Sequence, residues 1–139
     1  MFNRLLMLGL LLPLVMAVTP VWADNDFLRA DEAFKPSLTV TDGKIEAHWK
    51  IAEGYYLYRD KFRVTSDTPG VVLGEVLYPS SETKSDPNFG DIEVYHHDVT
   101  LTVPISSDGG DSAIKLTYQG CADSGLCYPP QKVVLHTYW

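Results

Sequence analysis

Alternation of apolar and polar residues along short segments is the feature that most restricts the fold of this chain. The clearest example covers 44–51, where four apolar residues alternate with three polar ones: Ile45, Ala47, Trp49 and Ile51 against Glu46, His48 and Lys50. Successive side chains of a strand point to opposite faces, so this period of two predicts a half-buried strand. No amphipathic helix long enough to cover a parallel sheet accompanies these segments, so the sequence predicts an all-β domain.

Turn residues separate the predicted strands at short intervals. Asp42-Gly43 predicts a two-residue hairpin, and the polar stretch from Pro79 to Asp91 predicts a long loop. At most one helical turn is expected, around Asp31 to Phe34. Seven or more short strands at this spacing predict an immunoglobulin-like β-sandwich. The expected strands cover 37–40, 44–51, 55–58, 62–65, 71–78, 99–105, 114–118 and 132–138.

The first 23 residues have the pattern of a secretory signal peptide. Arg4 precedes an apolar run from Leu5 to Val18, and Val21-Trp22-Ala23 follows the small-residue pattern of a cleavage site. An uncleaved membrane anchor is the alternative, although the run is short and contains Pro13. We expect cleavage to leave one domain, residues 24–139, in the periplasm and not embedded in the membrane.

The charge balance limits the classes of partner. The chain carries 11 Lys and Arg against 18 Asp and Glu, and loss of Arg4 with the signal peptide would leave the domain more acidic still. An acidic domain of this kind is not expected to bind nucleic acid or anionic lipid.

The two cysteines, Cys121 and Cys127, lie close together in the chain, and an oxidising compartment would normally pair them. On the chain-entropy estimate so short a loop contributes roughly 2.4 kcal/mol, against about 4.7 for a loop of about 100 residues. Stability alone is therefore a weak reason for the pair. A local structural disulfide in a non-catalytic binding module remains open. A zinc site is a third reading, but its candidate histidines lack paired ligand spacing: His48, His96, His97 and His136.

Three segments resemble one known family. Gly120 to Pro130 (GCADSGLCYPP) is similar to the active-site stretch of the amino-terminal periplasmic domain of the thiol:disulfide interchange protein DsbD. Gly54 to Arg59 (GYYLYR) resembles the tyrosine motif of that domain, and Asp86 to Tyr95 (DPNFGDIEVY) resembles its cap loop and the following strand. The resemblance extends, in order, over essentially all of residues 24–139.

The resemblance implies an immunoglobulin-like sandwich with both cysteines on a hairpin or loop at one end. It implies a thiol:disulfide oxidoreductase of protein-disulfide reductase type that needs no cofactor and no metal. Electrons would come from the thioredoxin-like donor domain of DsbD. They would pass to periplasmic disulfide isomerases and to a thioredoxin-like protein of cytochrome c maturation.

Residue roles follow from the same resemblance. Cys127 would form the intermolecular mixed disulfide and Cys121 would resolve it, with Tyr56 and Tyr58 beside them. Asp123 is expected near the thiols, where its charge would raise their pKa values.

The cap loop differs from that of better-known members of the family. Those members place an acidic residue and two aromatics between the acid corresponding to Asp86 and the glycine corresponding to Gly90, where this chain has Pro87-Asn88-Phe89. We therefore expect either that Phe89 alone shields the disulfide, with Gly90 as a hinge, or that the shield is looser, and we carry no role over to Asn88. Asp86, like Asp123, is expected to suppress the thiolate by its charge.

Overall fold

The computed structural model of the protein describes residues 16–18, 26–106 and 110–139. The predicted signal peptide lies outside the described residues except for 16–18, and so does its predicted cleavage site. In the described part of the chain, no helix is both long enough and apolar enough to span a bilayer.

Nearly all regular structure in the described residues is β-strand. One helical turn, α1, covers Ala30–Ala33, and one 3₁₀ turn covers Arg59–Lys61. The expected helical turn near Asp31 is therefore confirmed. The strands are β1 (Phe34–Thr41), β2 (Lys44–Ile51), β3 (Tyr55–Tyr58), β4 (Arg63–Thr65), β5 (Glu82–Asp86), β6 (Gly90–Tyr95), β7 (Asp98–Pro104), β8 (Asp111–Tyr118), β9 (Gly120–Ala122) and β10 (Gln131–Tyr138).

The strands form antiparallel sheets in the orders β1-β2-β7, β10-β8-β4 and β5-β6-β3-β9. The last two sheets are joined, because β3 leads into β4 through the 3₁₀ turn and β8 leads into β9 through Gln119. A shared core fills the space between the first sheet and these two. The predicted all-β sandwich of immunoglobulin type is confirmed.

The alternation that predicted the strands is the alternation that builds this core. Every apolar residue of 44–51 is buried, and its polar neighbours face outward. The predicted hairpin between β1 and β2 is also confirmed: Asp42 and Gly43 have φ of 49° and 73°, the left-handed values that a two-residue turn needs.

The predicted strand over 71–78 is wrong. The segment makes only two isolated bridges to the β7 side, Leu73 with Ile105 and Leu77 with Thr102, and one extra residue bulges out between them. Pro104 stands between the two partners and has no N–H with which to continue a ladder. Apolar composition therefore indicated a strand where proline interrupts the pairing.

The predicted long loop over 79–91 is also wrong, because most of it is the hairpin of β5 and β6, called here the cap hairpin. Its turn, Pro87–Phe89, is called the cap tip. Glu82, Thr83 and Ser85 of β5 are exposed, so this edge strand has no apolar face that alternation could reveal.

A close approach at Gly120 positions the cysteine segment. Gly120 pairs with Leu57, and a Cβ at this position would collide with the carbonyl oxygen of Tyr56 and lie 2.7 Å from Cζ of Phe34. Only glycine therefore allows β9 to lie this close to β3. Cys121 is thereby held opposite Tyr56 in the ladder.

Candidate active site

The strand β3 is buried on both faces, and its two faces serve different purposes. Tyr55 and Leu57 belong to the main core, whereas Tyr56 and Tyr58 belong to a second cluster with Cys121. The period of two thus places both tyrosines of the predicted motif on the face that carries the cysteines.

Cys121 and Cys127 form a disulfide within a tight hairpin at one end of the sandwich. Their Cα atoms are 4.0 Å apart, and the intervening turn includes Gly125 with a φ of 115°. Cys121 is fully buried, whereas Cys127 is partly exposed. The two sulfurs therefore differ in access: only Cys127 faces a route from solvent.

A hydroxyl–carboxylate network lies against the buried sulfur. The Tyr58 hydroxyl oxygen is 2.9 Å from Cys121 Sγ and 3.8 Å from Cys127 Sγ. It donates its proton to Oδ2 of Asp86 at 2.7 Å, and the Tyr56 hydroxyl donates to the same oxygen at 2.5 Å. A carboxylate is the stronger acceptor, so the proton of Tyr58 is committed to Asp86 and the sulfur faces a lone pair.

Asp86 is buried, with 4% of its surface exposed, and accepts four hydrogen bonds. Burial acts to raise the pKa of its carboxyl, but the tyrosine hydroxyls and the N–H groups of Asn88 and Phe89 outweigh it and hold the pKa below its ordinary 3.8. Burial, with the hydrogen bond to Asp86, raises the pKa of Tyr58 to about 12 and that of Tyr56 still further. The site is therefore one carboxylate anion held by two neutral phenols.

Two residues of the cap tip lie at the disulfide, one beside a sulfur and one against the neighbouring tyrosine. Asn88 directs its side-chain amide at Cys127 Sγ, 3.3 Å away. The Phe89 ring packs edge-on against the Tyr58 ring, with 5.4 Å between the ring centroids. Lys61 Nζ lies 5.0 Å from the centroid of the Phe89 ring, and Phe89 remains 51% exposed. Gly90 closes the tip with a φ of 76°, which favours glycine. The contact with sulfur belongs to Asn88, to which the sequence assigned no role, whereas Phe89 contacts Tyr58.

Asp123 lies in the turn between the cysteines, but its carboxylate points to other partners. Its Oδ1 is 3.3 Å from Lys84 Nζ and 3.1 Å from His96 Nε2. Burial acts to raise its pKa, but these two partners lower it. Because cationic Lys84 offsets this charge, the expected repulsion of a thiolate rests mainly on Asp86. Sequence analysis missed Lys84 and gave His96 only as a possible zinc ligand.

The four candidate zinc ligands do not gather around the sulfurs. Two of them have carboxylate partners: His48 lies 3.8 Å from Asp98, and His96 contacts Glu82 and Asp123. Over the described ranges, no three His, Cys, Asp or Glu side chains are grouped so as to hold a metal ion.

Comparison with known proteins gives the family. The family described as "Thiol:disulfide interchange protein DsbD, N-terminal" matches residues 24–137. This chain belongs to that family. A DsbD 1 of Pseudomonas aeruginosa is 43% identical over 107 residues, 76% of this chain and 18% of that protein. A DsbD of Pseudoalteromonas atlantica is 40% identical over 114 residues, 81% of this chain and 19% of that protein. The chain thus spans about a fifth of the length of these DsbD relatives.

Two solved DsbD N-terminal domains share the fold. The reduced form from Neisseria meningitidis superposes with a TM-score of 0.77 at 37% identity, covering 83% of this chain and 92% of that one. The same organism's domain in complex with the PilB N-terminal domain gives 0.70 at 35% identity, covering 81% and 88%. The likeness to DsbD drawn from the three segments is confirmed.

The four hydrogen bonds to Asp86 predict acid sensitivity. Its pKa is lower in the folded than in the unfolded chain, so its contribution to stability is present above about pH 4 and is lost as the pH falls through the folded value. Asp86→Asn should therefore reduce the unfolding free energy by about 1–3 kcal/mol at about pH 6 and by much less near pH 2. Denaturant titrations at both pH values measure this, with exposed Asp60→Asn as control. An equal loss at both pH values would contradict it.

Proposed function

We propose that this domain relays electron pairs by thiol–disulfide exchange at Cys121 and Cys127, as a thiol:disulfide oxidoreductase of protein-disulfide reductase type. The observation that carries the proposal is the difference between the two sulfurs. One is fully buried beside Tyr58, and the other is partly exposed beneath Asn88 of the cap tip. Exchange needs one reachable sulfur and a second thiol close enough to expel the partner, and this pair meets both conditions.

The exchange runs through Cys127. A donor thiolate attacks Cys127 Sγ, the Cys121–Cys127 bond breaks, and Cys121 leaves as a thiolate that takes up a proton. The second thiol of the donor then attacks the donor sulfur of the mixed disulfide and releases Cys127, so two electrons and two protons reach this domain. With an oxidised acceptor the same steps run in reverse: Cys127 attacks the acceptor disulfide and Cys121 resolves the complex.

Asp86 and the cap tip would restrain this chemistry until a partner docks. A carboxylate close to a thiol disfavours its thiolate, which is the attacking species. Asn88 lies beside Cys127 Sγ and Phe89 against the Tyr58 ring, so we expect a partner to displace the cap tip to reach Cys127. Displacement of a small lid is a common way to limit access to a reactive group.

The proposed partners are proteins. By its family, the domain would accept electrons from the thioredoxin-like donor domain of DsbD and pass them to periplasmic disulfide isomerases and a thioredoxin-like protein of cytochrome c maturation. The complex of a related domain with the PilB N-terminal domain supports protein partners as a class. The acidic net charge gives no support for nucleic acid.

Single-cysteine variants test the assignment. We expect Cys121→Ser to accumulate a covalent complex with a thioredoxin-like partner that carries one cysteine, because the mixed disulfide at Cys127 then has no resolving thiol. Cys127→Ser should trap none, because the remaining sulfur is buried. Non-reducing electrophoresis reads the result, with the double variant as control. Trapping by Cys127→Ser alone would reverse the roles.

Mild reduction of the wild-type domain separates the relay from a binding module with a structural disulfide. Under mild thiol reduction, a relay pair opens while the sandwich stays folded. A disulfide that resists reduction until the domain unfolds would instead support the binding module.

Removing the cap side chains should expose the sulfurs without unfolding the domain. Phe89→Ala and Asn88→Ala should each speed the oxidation of the reduced pair by a small-molecule disulfide at least about fivefold. This change corresponds to an activation free energy lowered by about 1 kcal/mol. Phe89 is half exposed, so its truncation should cost far less than the roughly 3–5 kcal/mol of a buried Phe. Oxidation rates and denaturation midpoints are measured together, with partly exposed Phe27→Ala as matched control. A large drop in midpoint, or no change in rate, would refute the shield.

We also propose export to the periplasm with cleavage after Ala23, on the pattern of Arg4, the apolar run and Val21-Trp22-Ala23. The intact mass of exported protein should match a chain beginning at Asp24. A mass that retains residues 1–23 would indicate a membrane anchor instead.

A further inference from the structure

Both ring nitrogens of His96 face carboxylates. Nδ1 lies 3.0 Å from Oε2 of Glu82, and Nε2 lies 3.1 Å from Oδ1 of Asp123. The ring is mostly covered, with 20% of the side chain exposed. We call these three residues the carboxylate clasp.

The protonation state decides whether this arrangement is fully bonded. An ionised carboxylate only accepts hydrogen bonds, and a neutral imidazole donates from one nitrogen only. Two carboxylates on opposite nitrogens are both satisfied only by the imidazolium, which donates twice. With a neutral ring, one carboxylate faces a lone pair and its contact becomes repulsive.

The clasp joins the base of the cap hairpin to the turn between the cysteines. Glu82 begins the cap hairpin and His96 directly follows it, whereas Asp123 lies in the turn between the cysteines. At the other end of the same hairpin, Asn88 covers Cys127. Holding the base of the hairpin on the cysteine turn therefore favours the covered state of the sulfur.

The surroundings of the ring contain other charged and titratable groups. Lys84 of β5 binds the same Asp123 oxygen at 3.3 Å and lies 4.9 Å from the centroid of the Tyr56 ring. Tyr56 of β3 lies 5.8 Å from His96 between ring centroids, and His97 lies 6.3 Å away. Lys84 still holds Asp123 when the His96 ring is neutral, so deprotonation loosens the clasp without opening it completely.

We propose that His96 is a positioning residue of the exchange site, whose imidazolium fastens the cap hairpin to the cysteine turn and so makes access to Cys127 depend on pH. The cap is held more firmly in acid and released more readily as the ring loses its proton. This inference rests on the proposed exchange at Cys127, which His96 influences without touching either sulfur.

The test compares the rate at which dithiothreitol reduces the disulfide in folded variant and folded wild type, at about pH 5.5 and about pH 8.5. At each pH we take the ratio of the variant rate to the wild-type rate. The ionisation of dithiothreitol affects both rates equally, so its effect cancels in this ratio. His96→Gln removes the charge, and His96→Arg keeps a permanent charge with several donors. His48→Gln is the matched control, because His48 also pairs with an acid, Asp98, but on the β2–β7 sheet.

We expect His96→Gln to be reduced about two- to fivefold faster than wild type at the lower pH and at nearly the same rate at the higher pH. His96→Arg should match wild type in acid and be reduced more slowly than wild type in base. His48→Gln should give a ratio near one throughout. If His96→Gln folds poorly, Glu82→Gln, which alters the exposed side of the clasp, replaces it in the test. Glu82→Gln should also be reduced faster than wild type at the lower pH.

A ratio for His96→Gln that does not change with pH would reduce His96 to a structural contact and overturn the proposal. So would a ratio for His96→Arg that follows that of His96→Gln. Failure of the proposed function would give a different result: the disulfide of the folded wild type would then resist dithiothreitol at both pH values, whatever the variants do.

Discussion

The site depends on one buried carboxylate. Asp86 accepts hydrogen bonds from two tyrosine hydroxyls through one oxygen and from two backbone N–H groups of the cap tip through the other. One side chain therefore fixes the surface beneath the sulfurs and the segment that covers them. A buried carboxylate is costly unless it is fully bonded, so losing either set of donors would destabilise the other half of the site.

The backbone holds the two sides of the site to different extents. Cys121 is held in the β3–β9 ladder, where Gly120 allows the two strands to approach closely. The cap hairpin is attached along β6 to β3 over only two residue pairs, Leu57–Tyr95 and Tyr58–Val94. Side-chain contacts add to this attachment: Asp86 at the tip, His96 at the base, and Lys84 of β5, which binds Asp123.

The parts of the molecule that sequence could predict are those governed by periodicity or by a specific motif. Alternation located the strands that contain Trp49 and Leu116, and Asp42-Gly43 located a turn, because burial on one face imposes a period of two. Strand β5 of the cap hairpin was missed because an exposed edge strand has no buried face. Residues 71–78 were mistaken for a strand because apolar composition gives no sign that Pro104, on the facing strand, lacks an N–H. The resemblance identified the cysteines and tyrosines. The partners of Asp123 were not accessible from sequence, since Lys84 and His96 reach it only through the pairing of β5 with β6.

The commitment of the Tyr58 proton to Asp86 explains how one pocket accommodates two redox states. In the disulfide form Cys121 has no proton to donate, and the Tyr58 oxygen beside it is already satisfied by its bond to Asp86. On reduction Cys121 gains an S–H, and a lone pair of the same oxygen can accept it. In neither state does this pocket leave the Tyr58 hydroxyl or the Cys121 sulfur short of a hydrogen-bond partner that it requires. An apolar pocket would leave the new S–H unbonded, whereas a cationic one would stabilise the thiolate in the absence of a partner.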